Sequence, residues 1–339
     1  MTKRVLITGG AGFVAHHVVD YFLKNTDYEI ISLDRLDFSG DLNRLQEISR
    51  EYDTDTRKRL KIVYHDLKSE LNDYVKSRIG PINIILHMAA SSHVSRSIKF
   101  PLEFVYDNMV GSANILEYAR TNPDLEKMIY FSTDEVFGPS IGEYKFKEFD
   151  RYNSSNPYSA TKAGAEELFV AYKNTYNLPI CITHTMNIFG ERQNPEKYIP
   201  MIIKKILNKE KIKIHYDSKT NQIGSRTYIH ALDVADALYF ILNLKEIKFP
   251  ENHMGGVCPK FNVTSDEEYD NLEIAKMVAK AMGVELDYEL VDANIDRPGH
   301  DFRYLISGEY LKSLGWKKKI SVESGIKSLV DYTLKNMQG

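Results

Sequence analysis

Cysteine and tryptophan are scarce: the 339 residues include two cysteines, Cys181 and Cys258, and one tryptophan. Two thiols cannot build a disulfide framework. The fold must therefore rest on a hydrophobic core, and a reducing compartment, the cytoplasm, is expected. An excess of charge of one sign is also missing. Lysine and arginine number 44 against 47 acidic residues, for a net charge of −3. Neither nucleic acid nor an anionic membrane is an expected partner of such a chain. No apolar run approaches the roughly 20 residues a membrane helix needs. Val5-Leu6-Ile7, near the N-terminus, runs straight into glycine and is too short for a signal peptide. Repeats and low-complexity tracts are lacking.

What is present is an ordinary globular balance, 43% hydrophobic and 27% charged. The length suits an α/β domain of about 200–250 residues with a smaller partner. Short apolar runs alternate with helical patterns. Val5–Thr8, Ile30–Leu33, Leu60–Tyr64, Asn83–His87, Met128–Phe131 and Ile180–Thr183 read as buried strands. Phe13–Leu23, Asn108–Arg120 and Tyr158–Tyr176 carry three- and four-residue spacings and read as helices. This alternation predicts an α/β fold, a Rossmann-type doubly wound parallel sheet. Beyond residue 190, prolines and glycines interrupt the rhythm between the helical stretches Tyr198–Leu207, Leu272–Ala281 and Val322–Leu334. We expect residues 1–190 to form the dinucleotide-binding domain, with part of the later chain returning to it. Residues 191–339 would mainly form a smaller, mixed, substrate-binding lobe.

Gly9-x-x-Gly12-x-x-Ala15 comes directly after the first strand and opens the first helix, the context a dinucleotide motif requires. Gly9 permits the sharp turn, Gly12 lets backbone approach a pyrophosphate, and the helix N-terminus offers free N–H groups. Asp34 lies 22 residues after Gly12, where an acid can bond a ribose 2′-hydroxyl and repel the extra phosphate of NADP. Arg35 comes next and works the other way. On balance NAD is the expected cofactor. Asp66, closing the third strand, could reach the adenine or cap its own loop.

Ser132-Thr133-Asp134-Glu135-Val136-Phe137-Gly138 places two adjacent carboxylates at the tip of a buried strand. Strand tips of this kind face the ligand crevice of an open α/β sheet. Twenty residues later, Tyr158 and Lys162 are four apart and share a helix face. A free phenol titrates near pH 10 and is a poor base at neutrality; a nearby ammonium lowers its pKa. The spacing predicts that Lys162 does this for Tyr158, which can then take a proton from a hydroxyl while hydride leaves the same carbon for the nicotinamide.

Together these segments resemble the extended short-chain dehydrogenases/reductases, and more narrowly the dTDP-glucose 4,6-dehydratase family. The likeness also covers His87-Met88-Ala89-Ala90, Asn187-Ile188-Phe189-Gly190, Pro195 to Pro200 and Arg297-Pro298-Gly299-His300-Asp301. It implies C4 oxidation of a nucleoside-diphosphate hexose, loss of water across C5–C6, and return of the hydride to C6. Tyr158 would take the C4 hydroxyl proton and Lys162 hold the nicotinamide ribose. Thr133 would bond the C4 oxygen, Glu135 abstract the C5 proton and Asp134 donate to the departing hydroxyl. The resemblance further assigns Phe13, Val14, Leu67 and Ala89 to the cofactor. Ser92, Asn187, Lys197, Arg226, Arg297 and His300 fall to the substrate. It implies a homodimer built on the helices Asn108–Arg120 and Tyr158–Tyr176.

The chain also departs from the pattern. Serine stands at 91 and 95, where the family usually carries acids, and Met186-Asn187-Ile188 replaces Ser-Asn-Asn. His16-His17 replaces serine–histidine, and no third ligand suggests a metal there. These changes line the substrate side. dTDP-glucose is the leading substrate, with UDP-, CDP- and GDP-hexoses open. A 4-epimerase on the same fold is the alternative enzyme, and a non-catalytic NAD sensor the alternative of another class.

Overall fold

The computed structural model describes residues 2–245, 258–293 and 303–337. Seven strands make the central sheet: β1 (Arg4–Thr8), β2 (Glu29–Asp34), β3 (Leu60–Tyr64), β4 (Ile84–His87), β5 (Lys127–Thr133), β6 (Ile180–Thr185) and β7 (Lys260–Val263). Their order is β7-β6-β5-β4-β1-β2-β3, with every pairing parallel. The order reverses between β1 and β4, so a crevice opens there beyond the strand C-termini.

Strand residues alternate between two cores, as a sheet covered on both faces requires. Val5, Ile7, Ile84, Leu86 and Ile129 pack with Val18 and Phe22 of the helix Phe13–Asn25 and with Leu238 of Ala231–Leu242. Leu6, Ile85, Met128 and Tyr130 face the other way, against Ile115 of Gly111–Arg120 and Phe169 of Pro157–Tyr176. The chain thus returns to this first core after residue 190, through Ala231–Leu242, through β7 and through Leu311 and Trp316.

The six strands read from apolar runs are all present, within two residues at either end. The helix read from Asn108 begins earlier. Proline opens it at Pro101–Phe104, a π-helical turn spans Val105–Val110, and Gly111–Arg120 completes it. Ala231–Leu242 escaped sequence reading because nine of its twelve residues are buried, which leaves no polar stripe to give it a period.

The remaining elements form the smaller lobe. Ile212–Asp217 pairs in parallel with Tyr288–Asp292 and antiparallel with Gln222–Ile223. Ser225–Thr227 lies between Glu268–Asp270 and Arg303–Tyr304. Ile199, Ile202 and Ile203 of Tyr198–Leu207 meet Ile274 and Val278 of Asn271–Ala281, and Ile326 and Val330 of Val322–Met337. The lobe is mixed α/β, as expected. Among the described residues, no helix is long and apolar enough to cross a membrane.

Candidate active site

At the end of β1 the chain turns through Gly9, whose φ of +70° suits glycine. A Cβ there would stand 2.8 Å from Ala89 Cα, so the β1 and β4 turns interlock only with glycine at this position. Thr8 Oγ1 accepts from the amides of Met88 and Ala89, at 3.1 Å each, and bonds His87 Nδ1 at 2.8 Å. Burial lowers the pKa of His87 to about 3, so its ring is a neutral strut. The helix Phe13–Asn25 then starts at Gly12 with no side-chain cap and no acid in its first turn. Its N-terminal amides are left for an anion.

Gly9, Gly12, Asp34, Asp66, Leu67 and Ala89 line one pocket at this crevice. Phe13 and Val14 do not line it; they form the first turn of the helix. Asp34 is buried at the tip of β2, and its carboxylate accepts from the amides of Ala11 (3.0 Å) and Leu36 (2.8 Å). Asp66 accepts from the Lys68 amide, the local loop cap left open by the sequence. Arg35 is committed elsewhere: Nη1 and Nη2 bond the two oxygens of Asp107 at 2.5 and 2.9 Å, and Nε bonds Asp37 at 2.7 Å. The uncapped helix, the tight Gly9 turn and the buried Asp34 fit NAD. They would hold its pyrophosphate and adenosine ribose.

Next along the sheet, β5 carries Thr133 to the crevice, and Asp134–Phe137 form a single 3₁₀ turn. Gly138 stops that turn with φ of +77°, and a Cβ there would run into the backbone oxygen of Asn153. The helix Pro157–Tyr176 begins beside it with proline at its start and an Asn156–Ser159 capping box. Asn156 also donates to Glu135 Oε2 at 3.0 Å, so one residue caps the helix and orients the carboxylate.

Thr133, Asp134, Glu135 and Tyr158 form one group. Thr133 Oγ1 donates to Asp134 Oδ1 at 3.1 Å. Burial, reinforced by the Glu135 charge, raises the Asp134 pKa to about 7. The Tyr158 phenol moves well above its ordinary value. Burial comes first and the Glu135 charge second, against a hydrogen bond from Thr133. This corrects the expectation of a phenol lowered by Lys162. Burial lowers Lys162 itself to about 7, and its Nζ donates to Phe131 O at 2.7 Å and lies 4.2 Å from the centre of the Tyr130 ring.

Of the expected substrate residues, Arg226 stands near enough for its charge to favour ionised Asp134. Its guanidinium lies over Tyr304. Asn187 lies just past the tip of β6 in a left-handed conformation, φ +33°, which asparagine tolerates better than most residues. Lys197 precedes the helix Tyr198–Leu207, and Ser92 is exposed in the loop after β4. Arg297 and His300 lie outside the described residues.

Three features escaped sequence reading. Asn108, inside the π-helical turn, donates to Thr161 Oγ1 and to Ser91 O, both at 3.0 Å, and accepts from Ser91 N at 2.8 Å. It ties the loop after β4 to the Tyr158–Lys162 helix. Asp107, its neighbour, accepts from Ser91 Oγ at 2.5 Å, so a carboxylate stands against Ser91. Third, Glu166 is fully buried one turn beyond Lys162. It accepts from Ser132 Oγ at 2.5 Å and from Tyr152, and pairs with His184 at 3.2 Å and Lys260 at 3.5 Å. Burial alone would raise its pKa; His184, Lys260 and Ser132 instead hold it at about 2. Glu166→Leu would leave Lys260 buried without its carboxylate. Such a loss costs about 3–5 kcal/mol. Urea unfolding should show that drop, and an unchanged midpoint would remove Glu166 from this role.

Comparison with known proteins identifies the family. The family model described as GDP-mannose 4,6 dehydratase matches residues 6–329. A low-salt glycan biosynthesis protein of Haloferax volcanii is 36% identical over 97% of this chain and 98% of its own. The dTDP-D-glucose 4,6-dehydratase of Mus musculus is 34% identical over 98% of this chain and 89% of its own. Among solved structures, dTDP-glucose 4,6-dehydratase of Bacillus anthracis in complex with NAD superposes with a TM-score of 0.82. It is 29% identical, over 99% of this chain and 98% of the other. A UDP-N-acetylglucosamine 4-epimerase of Methanobrevibacter ruminantium, 22% identical over 99% of each chain, has a TM-score of 0.83 and shares the fold alone. With a matching model across nearly its whole length and relatives aligned over almost all of it, the chain belongs to the GDP-mannose 4,6 dehydratase family of NAD-dependent sugar-nucleotide dehydratases and epimerases.

Proposed function

We propose that this enzyme is a sugar-nucleotide 4,6-dehydratase, converting a nucleoside-diphosphate hexose to the 4-keto-6-deoxy sugar, with dTDP-glucose as its leading substrate. The observation that carries this is the Asp134–Glu135 pair. Adjacent carboxyls that resist simultaneous ionisation divide naturally into an acid and a base. When bound, NAD supplies a hydride acceptor at C4 and a donor at C6, and its oxidised ring adds a positive charge beside the site.

Tyr158 accepts the C4 hydroxyl proton as phenolate, a form that burial and the Glu135 charge disfavour and that the positive nicotinamide ring would restore, with Thr133 bonded to the phenol and placed to hold the C4 oxygen. Lys162 holds the nicotinamide ribose, and the Glu166 charge favours its protonated form against burial. The 4-keto group acidifies C5, where Glu135, oriented by Asn156, removes the proton. Asp134 protonates the departing C6 hydroxyl, and Arg226 lies toward the substrate diphosphate. A 4-epimerase would need Tyr158 and Lys162 but has no use for an acid–base pair at C5 and C6. The same reading includes a homodimer, and Leu102, Val105 and Tyr106 offer exposed apolar surface on the segment before Gly111–Arg120.

Asp134 makes the reaction pH-dependent. With its pKa raised from 3.8 to about 7, the acid form dominates below pH 7 and is lost above it. Turnover should fall as pH rises through about 7. Asp134→Asn should lose that limb together with about 10²–10⁴-fold in rate. A pH–rate series on both proteins checks this; an unchanged limb in the variant assigns it to another group. Ranking dTDP-, UDP-, CDP- and GDP-hexoses by turnover tests the substrate, and a preference for any but dTDP-glucose would overturn that assignment.

A further inference from the structure

Arg35 should be a liability in an NAD site. It sits directly after Asp34, and a guanidinium there is well suited to a ribose 2′-phosphate. Its surroundings prevent that use. Asp107 takes Nη1 and Nη2 as a two-pronged pair, and Asp37 takes Nε. Asp107 is itself fixed by Ser91 Oγ at 2.5 Å, and the Asp37 carboxylate is held by the amides of Ser39 (2.8 Å) and Gly40 (3.3 Å). Lys68, the other cation lining the pocket, pairs with Asp66 at 3.3 Å and lies 4.0 Å from Asp107. The lining carries Asp34, Asp37, Asp66 and Asp107 against Arg35 and Lys68, so carboxylates outnumber cations.

We propose that Asp107, assisted by Asp37, is a cofactor-specificity residue: it draws the Arg35 guanidinium away from the ribose 2′ position and thereby excludes NADP. The selectivity then has two parts. Asp34 repels the phosphate, and Asp107 withholds the cation that would offset that repulsion. A π-helical turn at Val105–Val110 is what carries Asp107 in its own segment to the pocket. Both partners stay charged: Arg35 is pushed above its usual value first by its bond to Asp107, and Asp107 is held below the usual carboxylate range by Arg35 and Ser91 against the effect of burial.

The test is calorimetric titration of NAD⁺ and NADP⁺ into the full-length protein, without substrate. Wild type should bind NAD⁺ far more tightly. Asp107→Ala should tighten NADP⁺ relative to NAD⁺ by about tenfold or more, the scale of one charge-assisted hydrogen bond to phosphate. Adding Arg35→Ala to that variant should abolish the gain. An unchanged NADP⁺/NAD⁺ ratio in Asp107→Ala overturns the proposal. So does a gain that survives Arg35→Ala, since relief of repulsion alone would then account for it. Should Asp107→Ala fail to fold, Asp37→Asn frees Nε of Arg35 and should give a smaller gain of the same sign; an unchanged ratio there is equally decisive. Because no sugar is present, the outcome is independent of which reaction the enzyme performs.

Discussion

Glu135→Gln should oxidise its substrate at C4 and then stop, so that reduced cofactor accumulates on the protein. Glutamine keeps the length of the side chain and an oxygen for the Asn156 amide, which now bonds Glu135 Oε2 at 3.0 Å. What it loses is basicity at C5. General-base removal of this kind costs about 10²–10⁴-fold, while Tyr158 and Lys162, which the proposed mechanism assigns to the first step, remain in place. Rapid mixing with the sugar nucleotide should give a burst of reduced-nicotinamide absorbance that decays slowly or not at all. The coupling of the two carboxyls adds a second effect. The Glu135 charge helps raise Asp134, so its removal should move the residual pH limb toward acid. Full turnover by this variant would take Glu135 out of the chemistry.

Tyr158→Phe should fail one step sooner, with no reduced cofactor formed at all. The phenol is the group bonded to Thr133, and phenylalanine puts no oxygen in its place. The expected loss is again about 10²–10⁴-fold in turnover from proton transfer alone. The contrast between the two variants is more informative than either loss. Glu135→Gln separates oxidation from elimination, and Tyr158→Phe removes both. If Tyr158→Phe also gave the absorbance burst, the first proton would have to leave through another group.

The Tyr158 environment shows why this part of the site was only half legible in the sequence. Four-residue spacing correctly put Tyr158 and Lys162 on one helix face. It could not show that both are buried, that Lys162 bonds a backbone carbonyl of β5, or that two carboxylates face the phenol. Burial and long-range charge therefore reversed the direction of the expected pKa shift. The glycine turn and Asp34 were legible because their chemistry is local. Arg35–Asp107 and Glu166–Lys260 were not, since their partners lie 72 and 94 residues apart in the chain and meet only through the sheet. The strands of the central sheet could be read from their continuous apolar runs. The lobe's shortest strands, two residues each, offer no period to detect.

In the proposed mechanism, dehydration and epimerisation share the Tyr158–Lys162 half of this site and diverge after C4 oxidation. The most direct measurement is mass and NMR analysis of the product formed from dTDP-glucose carrying deuterium at C4. A dehydratase built on Asp134 and Glu135 should yield a 4-keto-6-deoxy sugar nucleotide, lighter by one water, with the deuterium now at C6. An isomer of unchanged mass, with the label back at C4, would contradict that assignment.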